Sequence, residues 1–282
     1  MTDLVWTKKL REWLPAFLAE HAALAPCRAA CSIALHGSLM LGLDDPFADY
    51  DLWLLLGDEE LAALDARSPT RFFGFRLDGR EGHLIAISLS DFSNRIARCD
   101  MDTLFQLRRA AIVTDPDGTL AEQQRIALSP MPESVRKTFA KYHYIEMRRD
   151  HRACDNPMER HDAVAVLLSL PKTMAHALRA AMILDAEPYP YDKWLYHTAR
   201  HTPTGLRLEP SIDRIVAFLG SGLLHFEGRE REHPISQELR VIRQVLIDES
   251  NRKGCGGEWL QSWWLFLDES RQEMANVRWG KS

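Results

Sequence analysis

Cysteine is scarce in this chain and badly placed for cross-linking. Cys27, Cys31, Cys99, Cys154 and Cys255 are an odd set scattered over 282 residues, unlike the even, closely spaced cysteines of a small disulfide scaffold. Cys27 and Cys31 resemble a metal pair, but no second pair completes a zinc set. Reduced structural thiols in a cytosol are the expectation. Long hydrophobic runs are missing too. No apolar stretch reaches the ~20 residues that cross a bilayer, and the N-terminus lacks a secretory-leader pattern. A cytoplasmic protein with no membrane partner is expected. Nor is there an excess of positive charge. Lys and Arg number 35 against 40 Asp and Glu, a formal net charge of −5, so no strong signal for nucleic acid is present. The acidic bias falls in residues 1–132, with 13 basic and 19 acidic side chains against 22 and 21 in the rest. No internal repeat or low-complexity segment is evident. What remains is ordinary globular composition, 46% hydrophobic and 27% charged, in a chain long enough for one large domain or two ordinary ones. The sequence leaves the oligomeric state open.

The pattern along the chain changes once. Leu4–Leu24 carries apolar residues at helical spacing, with Pro15 placed to kink or divide the helix. Apolar runs at 33–35, 50–56, 71–77, 83–89 and 112–114 read as strands. Asp58–Arg67 reads as a short helix between them, and Ser90 or Asp91 is placed to cap another. After Ser129-Pro130-Met131-Pro132 nearly every segment is helical in period. The predicted helices are 134–150, 162–185 interrupted by Pro171, 191–200, 211–219, 237–251 and 259–274, punctuated by Gly220, Gly222, Gly254, Gly256 and Gly257. The fold class expected is therefore α+β: an N-terminal mixed sheet flanked by helices over residues 1–130, and an all-helical domain over 131–282.

The chemistry concentrates between residues 32 and 56. A short apolar run ends at His36, Gly37 and Ser38. A polar turn, Asp44-Asp45-Pro46, follows, and a second strand opens with Asp49-Tyr50-Asp51. Residues two apart on a strand share a face, so Asp49 and Asp51 present two carboxylates together. Such a pair is repulsive until a cation sits between them, and hard divalent cations prefer oxygen ligands. A Gly-Ser pair leaving a strand for a helix offers backbone N–H groups and a hydroxyl suited to phosphate. The stretch reads as a metal–nucleotide site.

In these residues (Gly37-Ser38, ten intervening positions, then Asp49-Tyr50-Asp51) the chain resembles the polymerase-β-like nucleotidyltransferase superfamily. It is most similar to the small-molecule group that includes aminoglycoside and lincosamide resistance enzymes. The motif covers only the first part of the chain. A helical second domain and an apolar strand ending in Asp-Pro-Asp-Gly, here Asp115–Gly118, are companions of it in that group. The resemblance implies transfer of a nucleoside monophosphate, AMP from ATP, to the hydroxyl of a small-molecule acceptor, with Mg²⁺ held by Asp49 and Asp51. Gly37 and Ser38 would hold the distal phosphates. In the run Tyr189–Leu195, Lys193 matches a lysine that faces the nucleotide phosphates in the resembled enzymes, and the alternative is an exposed helix-start lysine beside a buried Trp194. Protein nucleotidylation and a nucleotide-binding regulator without turnover are the rival functions.

One thing the resembled pattern has and this sequence lacks is a third carboxylate on a later strand. The matching segment, His83–Leu89, contains no acid. Either His83 takes the place as base or ligand, or Glu81 or Asp91 reaches in, or His83 is an ordinary strand-edge histidine. Elsewhere, His197 and His201 lie one helical turn apart but lack a third ligand. Trp259, Trp263, Trp264 and Phe266 are core by spacing, with any exposed member free to stack on a ring. Arg148, Arg149 and Arg152 read as a solvated helix face with a phosphate contact as the alternative.

Overall fold

The computed structural model describes residues 5–220 and 233–279. The chain divides into two compact units, residues 1–129 and 130–282. Leu4 and Gly222 lie outside the described residues.

The N-terminal unit is built on the run Tyr50–Leu56, strand β2. Tyr50, Leu52, Leu54 and Leu56 alternate onto one face and Trp53 and Leu55 onto the other, and all six are buried. A strand apolar on both faces needs cover on both sides. On the first, Leu10, Leu14 and Leu18 of α1 (Val5–Glu20) and Leu61 and Leu64 of α2 (Asp58–Asp65) join the same core. On the second, Trp53 meets Phe92 of α3 (Leu89–Ala97) edge-on, with ring centroids 5.0 Å apart. There α4 (Met101–Arg109) and α5 (Thr119–Leu128) pack on β1 (Ser32–His36). With β3 (Phe72–Leu77), β4 (Arg80–Ser88) and β5 (Ala111–Thr114), the sheet runs β3-β4-β2-β1-β5. β2 and β4 are parallel, and the other neighbours are antiparallel. The expected mixed sheet flanked by helices is present.

The C-terminal unit contains no strand among its described residues. Its helices are α6 (Glu133–Glu159), α7 (Ala163–Leu184), α8 (Asp192–Ala199), α9 (Pro203–Gly220), α10 (Pro234–Arg252) and α11 (Leu267–Asn276). Pro15 and Pro171 sit inside continuous helices rather than dividing them. The expected helix over 259–274 is instead two 3₁₀ turns, Glu258–Leu260 and Trp263–Leu265, followed by α11. Trp263, Trp264 and Leu265 are consecutive bulky residues that cannot share one helix face. Trp259 is buried while Trp264 is 57% exposed. The cap of α3 is neither Ser90 nor Asp91 but Ser88, whose hydroxyl accepts from the Asp91 N–H at 3.0 Å.

All five cysteines are free and buried. Burial pushes the Cys31 thiol up to about 11 and that of Cys154 up to about 12, so both are inert, protonated groups. Among the described residues, no helix is long and apolar enough to cross a membrane.

Candidate metal centre

The site forms where β1 ends and β2 and β4 begin. Gly37 follows β1 with φ 80° and ψ −152°, a conformation open essentially to glycine alone. A β-carbon there would lie 2.3 Å from Asp51 Oδ2. Gly37 therefore both turns the chain and clears the volume that the Asp51 carboxylate occupies. The helix expected after it is a single short 3₁₀ turn, Ser38–Leu41. Its short dipole adds little to anion binding, so any phosphate contact falls to the Ser38 side chain and local N–H groups. Ser38 is 7% exposed, and its buried Oγ has no hydrogen-bond partner among the described residues. A buried hydroxyl left so is an observation a ligand would explain.

Sheet register assembles the ligands. β2 and β4 run parallel with Asp51 opposite His83, and Asp51 also faces His36 across the antiparallel β1–β2 ladder. Asp49 stands one residue before β2, two from Asp51. His83 Nδ1 lies 3.4 Å from Asp49 Oδ2 and 3.8 Å from Asp51 Oδ1. One ligand atom from each of the three falls within 4.8 Å of the others, and all three side chains are partly exposed. Two carboxylate oxygens at this spacing are a donor pair for a divalent cation, and the imidazole nitrogen beside them is placed either to complete the set or to take a proton. Phe72 packs on the His83 ring with centroids 4.9 Å apart. Arg80 anchors the loop leading into Asp49, donating to the Asp45 and Ala48 carbonyls at 3.0 and 3.1 Å and pairing with Asp44 at 2.6 Å.

His83 is thus turned toward the acids and is not merely a strand-edge residue. Glu81 pairs with Arg76 and Asp91 with Arg95, and neither joins the group. The His197 and His201 rings lie tilted at 54° to each other with centroids 5.4 Å apart, and they do not belong to any group of three metal-ligating residues among the described ones. Lys193 lies on α8 in the C-terminal unit, exposed, with its ammonium 4.7 Å from the Trp194 ring. Arg149 is engaged by Glu146 and Asp150.

His36 was missing from the sequence-based site. Its ring is 8% exposed and stacks on Trp53 at 4.1 Å. Nδ1 sits 2.5 Å from Gln106 Oε1, while Gln106 Nε2 donates to Asp102. With the amide so oriented, Nδ1 carries the proton and Nε2, buried and without a partner among the described residues, is an acceptor. Burial lowers the His36 pKa to about 4, so the ring is neutral near pH 7. Its position directly before Gly37-Ser38 was the available signal. Asp115, by contrast, is structural: it accepts from Ser32 Oγ at 2.7 Å and from the Leu120 and Ala121 N–H groups that open α5.

Three comparisons with known proteins bear on the chain. Residues 97–195, about a third of it, match the family described as Domain of unknown function (DUF4037). No curated protein matches. Among solved structures it is similar to a nucleotidyltransferase-like protein from Exiguobacterium sibiricum, at 12% identity and a TM-score of 0.47, over 88% of this chain and 77% of that one.

Proposed function

We propose that the protein is a divalent-metal-dependent nucleotidyltransferase that moves a nucleoside monophosphate, AMP from ATP, to a hydroxyl of a small molecule. The observation that carries this reading is the convergence of Asp49, Asp51 and His83 within 4.8 Å beside Gly37 and the buried, unpartnered Ser38 hydroxyl. Asp49 and Asp51 would hold Mg²⁺, which when bound supplies positive charge to the triphosphate oxygens. The Ser38 hydroxyl donates to a distal phosphate oxygen. In the transfer, the acceptor oxygen forms a bond to the α-phosphorus. The bond from that phosphorus to the β-bridging oxygen breaks, pyrophosphate leaves, and the acceptor proton passes to the His83 imidazole. Mg²⁺, ATP and the acceptor class are parts of this proposal.

Calorimetric titration with ATP–Mg²⁺ tests it. Asp49→Asn and Asp51→Asn are each expected to weaken binding by about tenfold or more while retaining a native circular dichroism spectrum. Unchanged affinity in both variants would overturn the assignment. His83→Ala should keep nucleotide binding and lose pyrophosphate release. ATP binding without pyrophosphate release from any hydroxyl acceptor would mark a nucleotide-binding regulator instead.

A further inference from the structure

A cavity of about 440 Å³ opens in the N-terminal unit between α1 and the β1–β5 edge of the sheet. Leu14, Leu18, Ile33 and Val113, all buried, form its apolar wall. Two irregularities keep the packing from closing here. The β1–β5 ladder pairs Ile33 with Thr114 and then Ala34 with Ile112, so Val113 has no residue opposite it. A bulge of this kind bends its strand away from the regular sheet. On the helix side, Pro15 also lines the cavity, and it supplies no N–H to the ladder of α1.

The charges on this cavity are of one sign. Arg11 and Arg28 line it, and no acid does among the described residues. Arg11 is fixed by the sheet edge: Nε donates to the Val113 carbonyl at 3.1 Å and Nη2 to the Ile112 carbonyl at 3.3 Å. Those carbonyls are thereby withheld from another strand, and a positive charge is held beside the cavity. Arg28 follows the 3₁₀ turn Ala25–Cys27, and the segment is anchored by the buried Cys27 and Cys31. Arg28 itself is exposed, and its side chain makes no ion pair or hydrogen bond with another described residue. Accessibility separates it from Arg148, whose Nε and Nη1 are buried without a partner among the described residues. The expectation of a solvated face at Arg148 is thus corrected, and those nitrogens are closed to a ligand.

Aliphatic side chains around open space gain from an apolar occupant, and a cavity of this size suits a small ligand. The charge condition narrows the class. Arg11 spends part of its fork on carbonyls, so Arg28 is the guanidinium open to a planar carboxylate, and one negative charge balances it. An aliphatic chain ending in a carboxylate meets both conditions, its body on the apolar wall and its head at Arg28. We propose that this cavity binds an aliphatic monocarboxylate of the fatty-acid type, with Arg28 as its counter-ion. Ile33 lies near the start of β1 and His36 ends it. The cavity is therefore at the other end of that strand from Asp49, Asp51 and His83, and the proposal does not rest on their metal-dependent reading.

The test titrates the full-length protein with octanoate, below its micelle concentration and at constant ionic strength, following heat. Saturable one-to-one binding is expected, about a hundredfold tighter than that of the shorter butyrate and about tenfold tighter than that of 1-octanol, which lacks the charge. Arg28→Gln should weaken octanoate about tenfold. Arg28→Glu should reverse the preference, so that octylamine binds and octanoate does not, a result that a merely structural role of Arg28 would not give. Ala29→Trp, at an exposed position on the cavity wall, should fill the space and abolish binding while the circular dichroism spectrum stays native. Asp49→Asn should bind octanoate like the unmodified chain, which separates this site from the metal centre. Absence of saturable binding, 1-octanol binding as tightly as octanoate, or octanoate affinity unchanged in the folded Arg28→Glu and Ala29→Trp variants would overturn the proposal.

Discussion

A methyl group at position 37 has nowhere to go. It would fall on the Asp51 carboxylate, at a backbone φ of 80° that L residues avoid. Gly37→Ala is expected to cost about 1–3 kcal/mol in urea unfolding. Because Asp51 must shift to make room, metal-dependent ATP binding should fall with it. Stability lost with binding intact would mean that Asp51 does not hold the ion. At this scale the sequence was informative where the chemistry is local. Asp49 stands just before β2 and Asp51 within it, two residues apart, so their nearness follows from the two-residue period of extended chain. His83 was legible only as a question. Its place opposite Asp51 is set by the parallel β2–β4 ladder, a pairing that spacing does not encode. His36 and Arg80 went unread for a similar reason: Gln106 and the Asp44–Ala48 loop, their partners, come from distant segments.

At the scale of elements, strands announced themselves as apolar runs, and β2 needed nothing more than its seven residues. The end of β4 shows where sequence signals blur, because Ser88, Ser90 and Asp91 are all plausible caps for α3. Only Ser88 takes the Asp91 N–H, while Ser90 donates to Asp58 at 2.7 Å and Asp91 pairs with Arg95. Ser88→Ala is expected to lower stability by about 1 kcal/mol, measured as a lowered urea midpoint with unchanged slope. Ser90→Ala should cost less, and the opposite ranking would contradict the cap. α4 was not anticipated, although Asp100 at its start, accepting from the Thr103 N–H, was a readable signal. The segment after Trp259 departs from the expected helix because Trp259, Trp263 and Phe266 fall at helical spacing, whereas the adjacent side chains between them cannot all face one core.

Across the molecule, buried histidines tie folding to acidity. Burial lowers the pKa of His36 and His151 to about 4, pushes His143 well below its ordinary value, and lowers His176 and His233. The unfolded chain titrates these rings near ~6.5. Between that value and about 4 it binds more protons than the folded chain, so stability must fall as pH falls through this window. His36 and His151 each account for on the order of 3 kcal/mol when the window has been crossed. Urea midpoints at pH 7.5, 6 and 5 should therefore decline steadily, and a flat profile over that range would contradict the burial of neutral rings. Finally, the crossing of α2 and β3 between β2 and β4 has a consequence in time. Asp49 and Asp51 are neighbours from the moment the strand forms, but His83 joins them only after the chain closes a loop through a helix and another strand. Such non-local pairing is the slow part of folding, whereas α6 and α7 meet through a short connection. A refolding chain thus regains most of its helix while the Asp49 and Asp51 carboxylates and the His83 ring are still apart, and the longer closure that brings β5 to β1 follows the same rule.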